Sequence, residues 1–246
     1  MTLIEFDTYM EMILFQIFHL KISGGISKKD YLIYGDDDRV KTVNILEQIL
    51  LEDYTVDNEW IWNSIFDLSY NNLDHLLRPM NGNVFGTKWG VYHSLDNNQI
   101  YHSKFFQFSG YFMFFQELFR QRVFSFQGKV SISRTFHQGI ISFYDLPYLG
   151  SEETLRGFER GRFRDRDMIF FQSEYRYPIS EKTNALILCD CGRVFHNLFA
   201  DLSGKYWKFS AGFGFQVYKN PEDMRFSIIT AFSSESIGFY FKLNEF

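Results

Sequence analysis

The chain has 246 residues, enough for one large domain or two small ones, and 20% of them are aromatic, including 30 Phe and 15 Tyr, well above an ordinary soluble domain. Its mean hydropathy is nonetheless slightly negative, which excludes a helical membrane protein built on spans of roughly 20 apolar residues and fits a barrel whose apolar residues alternate with polar ones. A net charge of -5 gives no reason to expect a nucleic-acid partner.

Acids stand where a secretory signal would be basic, at Glu5, Asp7 and Glu11, and no small-residue cleavage site follows the apolar run Met12 to Leu20, so no secretory signal is expected. From Ile13 to Gly24 the pattern predicts one strand. Asp38 to Tyr54 follows three successive acids, Asp36, Asp37 and Asp38, and spaces Val43, Leu46, Ile49 and Leu50 at helical intervals, which predicts a helical insertion in a long loop.

Strands follow. Trp60, Trp62, Phe66, Leu68 and Tyr70 alternate with Glu59, Asn63, Asp67, Ser69 and Asn71, and the turn from Asn71 to Gly82 carries Pro79, which cannot donate to a ladder. Val84 to Ser94, His102 to Phe115 and Arg120 to Phe136 predict three more strands. In the last of them Gln121, Ser125, Gln127, Lys129, Ser131 and Ser133 share one face, and Phe124, Phe126, Val130 and Ile132 the other. Trp207 to Val217 carries the strongest alternation in the chain, and Arg225 to Ser233 and Ser236 to Phe246 complete the series. All four prolines fall at strand ends or in loops, as a meander closed against free edges requires.

Leu149 to Asp190 is the central stretch. It holds Leu155-Arg156-Gly157-Phe158, a Gly/Arg/Asp-rich run from Arg160 to Asp167, and two strand-like segments with one acid each, Glu174 and Asp190. Gln172, Glu174 and Arg176 share one face, Phe171, Tyr175 and Tyr177 the other. Cys189 and Cys191 are the only cysteines. Two residues apart on a strand, they point the same way, are too few for a structural zinc site and read as apolar wall residues. Among the six histidines no Ser/His/Asp arrangement or metal-ligand spacing stands out, so neither a catalytic site, a metal site nor a cofactor is expected.

Tyr144-Asp145-Leu146-Pro147-Tyr148-Leu149-Gly150, then Leu155-Arg156-Gly157-Phe158, Glu174-Tyr175-Arg176-Tyr177-Pro178 and Asp190-Cys191-Gly192 together resemble the bacterial surface antigen family, the C-terminal barrels of the BamA/TamA-type outer-membrane assembly superfamily. Upstream, Ser69 to Asp74 with Pro79 and Gly82 resembles that family's periplasmic turn. The resemblance implies an all-β fold: an antiparallel transmembrane β-barrel of about ten strands here, with a long lumen-inserted loop and a short helical loop insertion. Residues 1–58 would supply an N-terminal strand and the partly helical insertion, and 59–246 the C-terminal barrel region, within one barrel domain overall. No POTRA repeat, the periplasmic module that receives client chains, is visible in the N-terminal part.

The resemblance also implies a site. Arg156, with Gly157 and Phe158 beside it, would fold into the lumen and bind Glu174 and Asp190 near Gly192, as a structural clamp and not as catalysis, since a planar guanidinium can saturate two carboxylates. At the C-terminus Ser236, Gly238, Phe241 and Leu243 fit the pattern of an outer-membrane β-signal, with Phe246 as the aromatic end. The expected setting is the bacterial outer membrane and its lipids, and the expected partners are client outer-membrane proteins and periplasmic or lipoprotein accessory subunits. The function implied is outer-membrane protein insertion or translocation, and the alternative is a reduced structural or porin-like barrel.

Overall fold

A computed structural model of the chain describes residues 2–14, 17–30, 59–76, 78–95, 104–136, 141–201, 204–220 and 223–243. Period-2 alternation becomes strands throughout: β1 (Thr2–Leu14), β2 (Phe18–Asp30), β3 (Glu59–Asn71), β4 (Gly82–Ser94), β5 (Lys104–Phe119), β6 (Arg122–Thr135), the two-residue β7 (Tyr148–Leu149) and β8 (Phe163–Arg164), then β9 (Asp167–Ser180), β10 (Thr183–Phe195), β11 (Lys208–Asn220), β12 (Asp223–Ser233) and β13 (Ile237–Leu243). All but β7 and β8 form one antiparallel sheet of eleven strands, each beside its chain neighbour, with β1 and β13 at its two ends among the described residues. The two-residue connections β5–β6 and β9–β10 lie at one end of the sheet and the long β6–β9 excursion at the other, an asymmetry like that of outer-membrane barrels.

The two faces differ as the alternation requires. On the inner face Asp67, Lys88, Ser109 and Ser131 lie opposite one another across β3 to β6, and Gln127 on β6 donates to Gln172 on β9. Outward, Trp62, Phe66, Trp89, Phe213, Phe239 and Phe241 are exposed. In water each such side chain would forgo about 1.5–3 kcal/mol of burial, so a continuous apolar outer face belongs in lipid.

The all-β antiparallel meander is as expected, with eleven long strands in place of about ten, and the differences have local causes. The single strand expected over Ile13 to Gly24 is a hairpin, with Leu14 opposite Phe18 and Thr8 opposite Gly24. That window straddles the turn, which is why its faces do not separate in the sequence. Arg120, expected to open the strand over Arg120 to Phe136, lies with Gln121 in a two-residue turn with φ of 37° and 64°. This left-handed geometry suits hairpins, but without Gly or Asn it leaves no trace in the sequence. The helix expected over 38–54 lies outside the described residues, as does Phe246.

The β3–β4 turn folds inward across the short-connection end. Arg78 is buried, donates to Asn184 Oδ1 (3.4 Å) and lies over the Tyr218 ring (4.6 Å), while Arg176 donates to the carbonyl of Pro79 (2.5 Å). Asp74 gives the turn its shape by accepting from the N–H groups of His75, Met80 and Asn81 at 2.9, 2.9 and 3.0 Å. Partial burial by itself raises the Asp74 carboxyl, but the N–H donors outweigh it and hold the group below its ordinary value. A folded-state pKa depressed in this way stabilises the turn fully above the ordinary carboxylate value of about 3.9, and the contribution is lost as pH falls through the folded value. A carboxyl-carbon NMR titration of Asp74 in micelles should therefore place its midpoint below that of a free Asp; a midpoint at or above it would contradict this account.

Candidate functional site

Between β6 and β9 the chain makes its longest described excursion, and a short ribbon pinches its base. β7 pairs β8, with Tyr148 opposite Arg164 and Leu149 opposite Phe163. The loop also closes on itself, the Gly161 N–H donating to Gly150 O at 2.9 Å and the Arg162 N–H to Glu159 O at 3.1 Å. Leu149, Leu155, Phe158, Met168 and Phe170 form a buried apolar cluster, with Phe163 edge-on to Phe158 at 5.2 Å. Loop residues and β9 residues share that cluster, so burying Leu155 and Phe158 pulls the loop tip onto the inner face of the sheet. Gly192 on β10 leaves room for it: a Cβ there would sit 3.0 Å from Leu149 Cδ1 and 3.1 Å from Phe170 Cβ.

Arg156 is thereby carried to the two acids. Its Nε and backbone N–H donate to Asp190 Oδ2 at 2.7 and 3.2 Å, its Nη2 to Asp190 Oδ1 at 2.6 Å, and its Nη1 to Glu174 Oε1. Asp190 and Arg156 are buried, while the Glu174 side chain keeps 29% exposure. One guanidinium thus bridges β9 and β10 through both edges of its fork, and Asp190 receives three of its hydrogen bonds from a single residue. The arginine fork thus holds both carboxylates in one ion-pair network. Among the described residues no group of three or more His, Cys, Asp or Glu side chains could hold a metal.

The tip also reaches the last strands. The Gly157 N–H donates to the Tyr240 hydroxyl (2.8 Å), and the Gly157 carbonyl accepts from the hydroxyls of Ser233 (2.8 Å) and Ser236 (2.7 Å). Gly157 has φ of 85°, and a Cβ there would meet the Phe232 carbonyl carbon at 3.2 Å, so only glycine allows this approach. Gly238 has a related reason to be glycine. The Tyr240 ring lies back over it, such that a Cβ at Gly238 would fall 2.5 Å from the Tyr240 hydroxyl. The same ring packs against the cluster of Leu186, Leu188, Ile229 and Ala231.

The structure therefore brings Arg156, Glu174 and Asp190 together, packs Phe158 and Gly192 beneath them, and joins Gly157 to Ser236 and Tyr240. Phe241 and Leu243 stand apart from this group, on the outer face, opposite Ile228 and Phe226 of β12. The sequence reading passed over Tyr240, Ser233 and a second ion pair, Arg134 with Asp167, where buried Asp167 also accepts from the Leu198 N–H at 2.8 Å. For Tyr240 a signal existed: it is the aromatic residue of β13 that shares the polar phase with Gly238 and Lys242, while Phe239, Phe241 and Leu243 point outward.

Comparison with known proteins completes the site's description. The Omp85 superfamily domain matches residues 19–245. Among solved structures the chain is similar to BamA from Haemophilus ducreyi lacking POTRA domains 1-3, with 17% identity and a TM-score of 0.71 over 96% of this chain and 52% of that one. It is also similar to CdiB from Acinetobacter baumannii, with 12% identity and a TM-score of 0.43 over 92% and 47%. The chain thus spans about half the length of these solved structures. No curated protein matches it. An antiparallel meander with an apolar outer face, matched along nearly its whole length by one domain family, places the chain in the Omp85 superfamily of outer-membrane β-barrels.

Proposed function

We propose that this chain is the membrane barrel of a bacterial outer-membrane assembly device. It would hold the edge of β13 ready for strands of client outer-membrane proteins, and it works by binding and release and not as an enzyme. The observation that carries the reading is the loop tip, which joins β9 and β10 through Arg156 and reaches β12 and β13 through Gly157. A loop that grips both the wall and the last strand is suited to setting how easily that strand's free edge is offered, and such an edge recruits a client by main-chain pairing. Outer-membrane lipids surround the barrel in this reading, and clients with periplasmic or lipoprotein subunits are its partners; translocation of a chain past the same edge is the neighbouring possibility within the family.

The second reading, a porin-like barrel, predicts an open passage. Arg78 and Pro79 of the β3–β4 turn contact β9 to β11 at one end of the inner face, and Arg156 occupies it nearer the other, which favours client handling. Purified chain reconstituted in liposomes separates the two. Faster folding of a urea-unfolded outer-membrane barrel than in empty liposomes is the result expected. Solute flux without that acceleration would favour the porin-like barrel, and lipid turnover would reopen an enzymatic role.

A further inference from the structure

We propose that the Gly157 peptide staples the terminal strand from the inner face and that Tyr240 is the positioning residue that sets how firmly β13 is held. The proposal rests on the reading of β13 as the working edge. It goes beyond the arginine clamp, because Arg156 engages only β9 and β10 and by itself leaves the last strand untouched.

Of the interior strands' kind of hold, β13 has only half. It pairs β12 from Ile237 opposite Phe232 to Leu243 opposite Phe226, and its other edge has no strand partner among the described residues. Its outward side chains, Ile237, Phe239, Phe241 and Leu243, are between 55% and 77% exposed and touch little protein. A cleft of about 540 Å³ lies between the loop and the strand, bordered by Glu159, Arg160 and Gly238. Beside the Arg162–Glu235 pair in the β12–β13 turn (2.6 Å), the contacts from the loop tip converge on the main chain of one residue, Gly157. Tyr240 accepts from its N–H, and Ser233 and Ser236 donate to its carbonyl.

Geometry makes this a coupling and not a chance contact. The neighbouring backbone N–H, that of Arg156, donates to Asp190, so two successive peptides of the loop are tied to β10 and to β13. Movement of the loop tip away from Asp190 necessarily drags the Tyr240 hydroxyl or leaves it without its donor. Gly238 beneath the Tyr240 ring keeps the ring flat against the inner face, at the height the Gly157 N–H can reach. Phe at position 240 would keep the packing on Leu186 and Ile229 and lose the acceptor alone.

Hydrogen exchange on the full chain in liposomes tests this. In Tyr240→Phe the exchange rate over Ile237–Leu243 should rise about five-fold, the loss of one neutral hydrogen bond, while β10 and the melting temperature stay as in the wild type. Ser236→Ala, which removes one donor to the carbonyl of the same residue, Gly157, should give a similar local rise. Client folding should change in step, faster where β13 opens more readily. Unchanged exchange in both variants overturns the staple. So does a rise spread equally over β10 and β13 with a lowered melting temperature, which would make Tyr240 a packing residue only. If the wild type accelerates no client folding, the functional reading falls, and the exchange result still decides the staple.

Discussion

Replacing Arg156 with alanine lowers the stability of the folded barrel by about 3–5 kcal/mol, the usual consequence of removing one partner of a buried ion pair. The opposing terms show why the loss should be large. Burying the guanidinium is costly, and the substitution relieves that cost. It also strips Asp190, fully buried, of both its side-chain hydrogen bonds from Arg156 and leaves it facing Glu174 with no guanidinium between them; of the three bonds from residue 156 only the one from the backbone N–H remains. The loop loses its anchor as well, so Leu155 and Phe158 are held by apolar contact alone. Relief of one desolvated cation does not balance two exposed deficits. Arg156→Lys should fall between wild type and alanine, because an ammonium cannot present a planar fork to both acids. Heat-modifiability on semi-native gels reads the effect directly: the folded band of the alanine variant should convert at a clearly lower temperature. An unchanged transition would mean that the clamp carries little of the fold.

The faces of this sheet were legible because a strand repeats every two residues and a lipid-facing wall tolerates few polar exceptions. From Trp60 to Phe232 the outward phase hardly breaks, and even the two cysteines keep to it. What was illegible was the strand ends. Leu14 and Phe18 are partners across a connection whose sequence carries no Gly, Pro or Asn, so the first hairpin reads as one ambiguous strand. The tight turn at Arg120 and Gln121 is hidden for the same reason.

The site was readable in part and for a different reason. No periodicity places Arg156 beside Glu174 and Asp190; residues 18 and 34 positions away meet only because a loop folds back, and it took a family resemblance to join them. The contacts of Gly157 were beyond that resemblance. Ser236 and Gly238 were singled out as parts of a terminal pattern; the Ser236 hydroxyl also serves the loop carbonyl, and the space beside Gly238 is filled by the Tyr240 ring. A residue-type pattern records which positions are restricted. It does not record what restricts them.

Deleting Leu243 to Phe246 should keep the chain out of the membrane, leaving it degraded or in the periplasm. Within the described part of that segment, Leu243 closes the β12–β13 ladder opposite Phe226 and exposes 60% of its surface on the lipid side. Among the described residues β13 runs from Ile237 to Leu243, and a tilted strand needs roughly 9–11 residues to cross a bilayer. Removing its end shortens the ladder and strips apolar surface where both matter most, because unsatisfied backbone groups in lipid cost several kcal/mol each. Phe226 would at the same time lose its ring neighbour Phe241, 6.3 Å away, if the shortened strand frays by one further pair. Since the strand is also the proposed recognition signal, the defect should appear at insertion and not only at melting. Cell fractionation distinguishes the two: truncated chain recovered in the outer-membrane fraction, folded but less heat-stable, would reduce the terminal segment to an ordinary piece of wall, whereas absence from that fraction, with Phe241→Ala giving a partial loss, is the result expected of a strand that must be recognised before it can pair.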